Sequence, residues 1–285
     1  MTLESKLSGK IMRLVAYRQN NGTRLALRDQ DGVRDVGPFP ANSSDFAQFA
    51  EDVATGRITG GAIVAGAIEP ALPIVADARV ICIGLNYAEH AREGGREPPS
   101  YPAFFFRIDT SLAPSGSEVD TLGISDKLDY EAELLVVIGR GGRKIAEADA
   151  LDHVFGYGVF NDISVRDFQQ KGGQWTPGKN FDGTGIFGEQ IVTADELAPG
   201  ATGLGVRAIL NGEVMQDANT DIMIFPVARA IALISEFMTL RAGDVIATGT
   251  PSGVGYARTP PVWMKPGDEI VVEVERVGRA VARIR

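Results

Sequence analysis

The chain has 285 residues, 44% of them hydrophobic and 23% charged, which is ordinary for a globular protein of one large or two average domains. Its net charge of −9 and pI of 4.9 argue against a nucleic-acid partner, because such binders carry basic patches, but allow a small anionic substrate held by local cations. The single cysteine, Cys82, excludes an intrachain disulfide and favours a cytoplasmic protein. The absence of an apolar run near 20 residues predicts no membrane partner.

The first section of the chain reads as short strands followed by a helix. Residues 12–36 alternate around the hairpin signal Asn20-Asn21-Gly22, with a second turn near Asp29. Ser43-Ser44-Asp45 is a candidate cap for a helix through Val53. We therefore predict a small N-terminal α/β domain over residues 1–77. Met12 is a natural start, and we expect residues 1–11 to be an extension or a disordered leader.

A predicted catalytic domain, residues 78–285, begins with the buried strand Val80–Gly84. Asn86 then caps a predicted short helix that Gly94-Gly95 ends, and on that helix His90 and Glu93 are surface neighbours. A carboxylate beside an imidazole orients it and raises its basicity, as a general base requires. The alternative is a solvated pair without function, which is the commoner situation for an arbitrary His–Glu pair. The flanking glycines suit a lid as well as a plain loop.

Two carboxylates, Glu131 and Glu133, stand at the start of the apolar run Leu134–Gly139, which reads as a buried strand. Residues two apart in a strand share a face, so the two like charges lie side by side. Burying them unpaired would cost several kcal/mol, which predicts half of a site for a hard divalent cation. A second strand-like run ends at Asp162, a common position for a ligand or catalytic group.

The segment from Gly173 to Asn180 imitates a phosphate-binding loop. Gly173-x4-Gly178-Lys179 has the right spacing, but Asn180 replaces the required Ser or Thr and Pro177 removes a backbone donor. We reject nucleotide binding. Lys179 either neutralises an anionic substrate or developing oxyanion, or is a solvated charge.

The rest of the chain is rich in strands. Asn211-Gly212 marks a hairpin, Pro226 to Leu240 is the clearest helix, and Ile270 to Glu275 alternates as a half-buried strand. Thr248 to Gly255 is a glycine-rich loop that follows a strand. Its glycines let backbone N–H groups approach a carboxylate closely.

Several motifs now stand in one order, namely Ile83-Gly84-Leu85-Asn86-Tyr87-x2-His90-x2-Glu93, Asp129-Tyr130-Glu131-Ala132-Glu133, Asn161-Asp162-Ile163-Ser164-Val165-Arg166-Asp167-x-Gln169, Gly178-Lys179 and Thr248-Gly249-Thr250-Pro251-x-Gly253-Val254-Gly255. Together they resemble the fumarylacetoacetate hydrolase family, in its acylpyruvate hydrolase and oxaloacetate decarboxylase-like branch, over roughly residues 80–275. The resemblance implies an α+β, predominantly β fold: a mixed β-sandwich roll with a metal at its mouth, beside the small N-terminal domain. One departure is Arg107, where many relatives carry lysine, and this changes carboxylate geometry.

The resemblance also implies a set of site residues. They are the metal ligands Glu131, Glu133 and Asp162, the catalytic residues His90, Glu93 and Lys179, and the substrate-binding residues Gln169, Thr250 and Arg107. Three carboxylates offer only hard oxygen, which suits Mg²⁺ or Mn²⁺ and disfavours zinc. A homodimer is also implied.

The expected function is metal-dependent hydrolysis of a carbon–carbon bond in a small anionic β-diketo acid, through a metal-bound enolate and a water that His90 and Glu93 activate. The same site in relatives serves other reactions, so we keep the alternatives of decarboxylating oxaloacetate-like acids and of isomerising or decarboxylating 2-hydroxymuconate-type diacids in aromatic catabolism. A non-catalytic metal-stabilised binding protein is a further alternative. An open metal site with a lid base argues against it.

Overall fold

The computed structural model of the chain describes residues 13–20, 22–29, 32–58 and 60–285. The predicted extension over residues 1–11, and the turn residues Asn21, Gln30 and Asp31, lie outside these ranges. The strands are β1 (Arg13–Gln19), β2 (Gly22–Asp29), β3 (Gly32–Pro38), β4 (Glu69–Pro70), β5 (Val80–Gly84), β6 (Ala103–Arg107), β7 (Leu112–Pro114), β8 (Ser117–Val119), β9 (Leu128–Asp129), β10 (Ala132–Ile138), β11 (Val154–Asp162), β12 (Ser164–Val165), β13 (Gly185–Phe187), β14 (Ile191–Thr193), β15 (Gly205–Leu210), β16 (Glu213–Asn219), β17 (Val245–Ala247), β18 (Glu269–Val274) and β19 (Gly278–Ile284). The α-helices are α1 (Ser43–Ala54), α2 (Ala88–Glu93), α3 (Arg166–Gln169), α4 (Thr176–Lys179) and α5 (Val227–Phe237), and short 3₁₀ helices lie at Asp109–Ser111, Glu147–His153, Ala194–Glu196, Pro199–Ala201, Thr220–Ile222 and Gly255–Ala257.

Two mixed sheets form the body of the protein. The larger follows the order β3-β2-β1-β14-β11-β10-β17-β5-β6, and the smaller follows β16-β15-β18-β19-β8. Their facing side chains, such as Val136 on β10, Val159 on β11 and Val272 on β18, belong to one buried cluster. This packing of sheet on sheet confirms the predicted fold class of a predominantly β sandwich.

The N-terminal strands extend the larger sheet rather than forming a separate one. Strand β1 pairs with β14 through Leu14 and Ile191. Leu14 and Phe46 share a buried cluster with Phe155 and Val245 from the later part of the chain. The predicted boundary at residue 77 stays a prediction, although the two sides of it share a sheet and a core.

The central strand β10 is buried at all seven positions, as the apolar run predicts. It pairs antiparallel with β11, so that Glu133 lies opposite Phe160 and Ala132 opposite Asn161. The backbone N–H of Asp162 donates to the carbonyl oxygen of Glu131 at 3.0 Å. This register brings the end of β11 beside the start of β10 and places the three acidic residues together.

Two helix starts differ from the predictions. Helix α1 is capped by Asn42, whose side-chain oxygen accepts from the N–H groups of Ser44 and Asp45, rather than by Ser43-Ser44-Asp45. Asn86 does not cap α2, which begins after Tyr87. The Asn86 side chain is fully buried instead and bonds the backbone of Phe225 and Thr248. It therefore ties the approach to α2 to the loop after β17.

The later elements largely follow the patterns. The hairpin at Asn211-Gly212 has both residues in the left-handed region, as a type I′ turn requires. Helix α5 buries Ala230, Ile231 and Ile234, which belong to the predicted apolar face. Within the described ranges, the helices are too short or too polar to cross a membrane.

Candidate active site

Three buried carboxylates converge where β10 begins and β11 ends. Glu131, Glu133 and Asp162 each offer an oxygen, and these oxygens lie within 4.8 Å of one another. Their exposed fractions are 5%, 2% and 0%. The structure thus brings together the three predicted metal ligands, which is the arrangement that hard-oxygen coordination needs.

Two cations pair with Glu131. Lys179 Nζ lies 2.6 Å from Glu131 Oε2 and 2.5 Å from Asp162 Oδ2. Arg166 Nη2 lies 2.7 Å from Glu131 Oε1. Burial alone would raise the pKa of Glu131, but the positive charges of Lys179 and Arg166 outweigh burial and lower it to about 2. Glu131 therefore stays ionised at neutral pH.

Arg107 pairs with Asp162 from a buried position outside the cavity lining. Its Nε pairs with Asp162 Oδ1, while Nη1 and Nη2 donate to Thr184 Oγ1 at 3.0 Å and to the carbonyl oxygen of Ile163 at 2.6 Å. Its side chain is fully buried, and it does not line the cavity described below. Substrate binding by Arg107 stays a prediction, and its contacts favour a role in positioning Asp162.

Glu133 is the carboxyl group that the protein leaves without a compensating charge. Among the described residues it has no ion pair, and it accepts one hydrogen bond, from the N–H of Gly249 at 2.9 Å. Burial, together with the charges of Asp162 and Glu131, holds the pKa of Glu133 well above its ordinary value. A divalent cation fits this site, because it would neutralise Glu133 and bind three hard oxygens.

His90 and Glu93 form the predicted pair on α2. His90 Nδ1 lies 2.8 Å from Glu93 Oε1, and His90 is 7% exposed. With Nδ1–H donating to the carboxylate, Nε2 holds the lone pair that accepts a proton. His90 lines the same cavity as the three carboxylates. The pair is therefore largely buried, with His90 at a cavity, and is not a solvated surface pair; its action as a base stays a prediction.

The glycine-rich loop binds the protein's own carboxylates. The N–H groups of Gly249, Gly253 and Gly255 donate to Glu133, Glu93 and Asp129 at 2.9, 2.8 and 2.7 Å. Gly249 and Gly253 have φ of +92° and +101°, and a Cβ on Gly253 would lie 2.4 Å from the Met215 carbonyl oxygen. The predicted approach of N–H groups to carboxylates is present, but the carboxylates are side chains of this chain.

Thr250 and Gln169 both line the cavity, as expected of substrate-binding residues. Thr250 Oγ1 accepts from Gln216 Nε2 at 2.8 Å, so its own hydroxyl hydrogen is free to turn toward the cavity. Gln169 Oε1 accepts from Arg166 Nη1 at 2.9 Å, which leaves the Gln169 amide hydrogens as donors. Contact of either residue with substrate stays a prediction.

The cavity measures about 510 Å³, within the usual range for small-molecule sites. Its lining includes residues to which the sequence patterns assigned no role, namely Arg96, Arg166, Trp175 and Tyr256. Arg166 bonds Asp129 at 2.8 Å and lies 4.5 Å from the centre of the Tyr256 ring. In the sequence, the helical spacing of Arg166 and Gln169 could have indicated a role for Arg166. No feature of the neighbouring sequence indicates a role for Arg96 or Trp175.

Comparison with protein families and known proteins agrees with the family that the sequence motifs indicate. Residues 79–285 match the family model described as fumarylacetoacetate (FAA) hydrolase C-terminal. The mitochondrial oxaloacetate tautomerase of Xenopus laevis is 36% identical over 282 residues, covering 94% of this chain and 88% of that protein.

Two solved structures show the same fold. A fumarylacetoacetate hydrolase from the psychrophilic Exiguobacterium antarcticum matches with a TM-score of 0.82 and 31% identity, over 96% of this chain and 99% of that one. A fumarylpyruvate hydrolase from Pseudomonas aeruginosa, described in complex with Mn²⁺ and pyruvate, matches with a TM-score of 0.66 and 30% identity, over 77% and 92%.

Binding of Mn²⁺ should release protons, because Glu133 must be ionised to ligate a cation. A raised pKa means that Glu133 keeps its proton above the ordinary value of 4.5, so the affinity should fall as the pH drops through that raised pKa. Titration calorimetry at one pH in buffers of different ionisation enthalpy measures the proton release. Glu133→Gln should abolish the release and weaken binding. A binding enthalpy independent of the buffer would contradict the assignment.

Proposed function

Because the chain belongs to the fumarylacetoacetate hydrolase family, we propose that it is a divalent-metal-dependent enzyme that moves a proton at the carbon beside the 2-oxo group of a small 2-oxo acid. Oxaloacetate, interconverted between its keto and enol forms, is the substrate that we favour. The observation that carries this proposal is the oriented base His90 lining one cavity with the cluster of Glu131, Glu133 and Asp162.

Each step of proton transfer has a group in this cavity. His90 Nε2 removes the proton from the carbon, and Glu93 stabilises the imidazolium that results. The proton then returns to the oxygen of the former 2-oxo group, which completes the keto–enol exchange without a change in composition. Because His90 is buried, bulk water competes poorly for the proton.

The ligand cluster fits Mg²⁺ or Mn²⁺ by the chemistry of its three oxygens. When bound, the cation would supply a Lewis acid that polarises the 2-oxo group. Lys179, Arg166 and Arg107 fix the orientation of the ligand carboxylates through the contacts described above. Lys179 donates to both carboxylates, and its amine nitrogen also lies 3.4 Å from the Asp162 carbonyl oxygen, so its predicted action on an oxyanion would replace this third, weak contact.

Replacing His90 by Ala should lower kcat at least about 100-fold, the usual contribution of a general base. Affinity for Mn²⁺ should change little, because His90 is not one of the ligands. Loss of the oxaloacetate enol absorbance measures turnover, and calorimetry measures metal binding. The matched control is His153→Ala, since His153 contacts the Arg140 carbonyl oxygen outside the cavity. Near-normal turnover in the His90 variant would exclude this mechanism.

Hydrolysis of the carbon–carbon bond of a β-diketo acid is the second candidate. The same His90–Glu93 pair can deprotonate a water, which would attack the distal carbonyl and release a carboxylic acid and a 2-oxo acid. The solved hydrolases reported above share the fold, which favours keeping this reaction. Proton transfer ranks first because the tautomerase is 36% identical to this chain, against 31% and 30% for the two hydrolases.

A substrate panel separates the two candidates. With Mg²⁺ present, we expect rapid loss of oxaloacetate enol without pyruvate, and much slower cleavage of acylpyruvates. EDTA should abolish both activities. Formation of pyruvate from acylpyruvate at a comparable or higher kcat/KM would favour hydrolysis, and pyruvate from oxaloacetate would indicate decarboxylation.

We further propose a homodimer, supported by an apolar surface at the edge strand β6. This β6 patch consists of Tyr101, Phe104, Phe106, Ile108 and Phe237, of which all but Phe104 are more than 40% exposed. An edge strand with such a surface favours association. Light scattering should give twice 30.4 kDa for the wild type, and Phe106→Glu should reduce it. Leu122→Glu, at an exposed position outside the patch, is the control. A monomeric wild type would contradict the proposal.

A further inference from the structure

Arg96 lies at the rim of the cavity, just after α2. Its backbone N–H donates to the Ala91 carbonyl oxygen at 2.9 Å, which fixes its backbone to the helix that carries His90. The residue is exposed, and its guanidinium has no carboxylate partner among the described residues. By contrast, Arg166 and Lys179, the other permanent cations of the lining, are both paired with carboxylates. Arg96 is therefore a cavity cation with its charge available to a ligand.

The Arg96 guanidinium lies over the ring of Trp175, which its neighbours hold in place. The guanidinium carbon lies 6.0 Å from the centre of the indole ring. The indole packs so tightly on Gly84 that a Cβ there would lie 2.1 Å from it, and it meets the Phe105 ring edge-on at 5.5 Å. At this distance, the outer limit of a cation–π contact, the ring attracts the guanidinium, whose planar donor fork matches a carboxylate in geometry.

The charge of a dicarboxylic substrate would favour such a cation at the rim of the cavity. A dicarboxylic 2-oxo acid has its 2-oxo and first carboxylate groups at one end and a second carboxylate at the other. The cavity already holds Glu131, Glu133 and Asp162, in a protein of net charge −9. A second carboxylate inside it would be repelled unless it met a positive group.

We propose that Arg96 binds the second carboxylate of a dicarboxylic 2-oxo acid and so selects dicarboxylic over monocarboxylic substrates. This inference rests on the proposed function, since it names the substrate class of that site. The donors are the guanidinium N–H groups, and the reacting end of the substrate lies toward the three carboxylates deeper in the cavity.

The experiment compares oxaloacetate with 2-oxosuccinamate, which has the same size but a neutral amide in place of the second carboxylate. In Arg96→Gln, KM for oxaloacetate should rise about tenfold, roughly the effect of losing one charge-assisted hydrogen bond at an exposed site. KM for the amide, and kcat for both compounds, should stay within about twofold. Arg96→Lys should fall between the wild type and Arg96→Gln.

The matched control is Arg92→Gln, which likewise removes one positive charge, from the neighbouring helix α2. Arg92 pairs with Glu89 on the exposed side of the helix and does not line the cavity. Calorimetric affinities of the Mn²⁺-loaded protein for both compounds provide a readout without turnover. Equal changes for the two compounds, or none in Arg96→Gln, would overturn the inference. The wild type could bind oxaloacetate more tightly than the amide and lose this preference in Arg96→Gln, while no variant catalyses the reaction. That outcome would support the role of Arg96 and refute the proposed function.

Discussion

The arrangement of the site depends on holding three buried carboxylate groups close together. Glu131, Glu133 and Asp162 would repel one another and lose their hydration, so the fold must supply compensating charge. Lys179 and Arg166 compensate Glu131, and Arg107 compensates Asp162. Glu133 receives only a backbone N–H. Glu133 is therefore the one carboxyl group of the three without a positive partner among the described residues, and a cation bound there would take the place of its proton.

The glycine-rich loop after β17 connects this cluster to His90, the proposed base. One loop holds Glu133 by Gly249 and Glu93 by Gly253, so a carboxylate of the cluster and the partner of His90 share a support. Asn86 joins the start of α2 to the same loop through the Thr248 carbonyl oxygen. The position of the imidazole is therefore set together with that of the carboxylates. Side chains larger than glycine cannot take these places, because the loop needs positive φ and a close approach to neighbouring backbone.

Much of the site could be predicted from the sequence because it follows from strand periodicity. The two-residue spacing of Glu131 and Glu133 predicts that they lie together, as they do although Glu131 stands just before β10, and the helical spacing of His90 and Glu93 predicts their contact. The end of a strand-like run marks Asp162 as a candidate, and the family motif implies that it is a metal ligand. The register of β10 with β11 explains its position. Partners far apart in sequence were not predictable: the Asp162 partner of Arg107 is 55 residues away, and the Gly253 partner of Glu93 is 160 away. Arg96 and Trp175 likewise meet only through folding.

The choice of reaction depends on groups outside the carboxylate cluster. Proton transfer and carbon–carbon hydrolysis both need a polarised 2-oxo group and the base His90, so the shared core of the site cannot separate them. What differs is whether the base faces a substrate carbon or a water, and this depends on how the far end of the substrate is held. A cation at the rim would attract a second carboxylate and so hold the far end of a dicarboxylic substrate. The charge of Arg96, which has no carboxylate partner among the described residues, thus bears on the substrate class, whereas the choice between the two reactions rests with the group that faces His90.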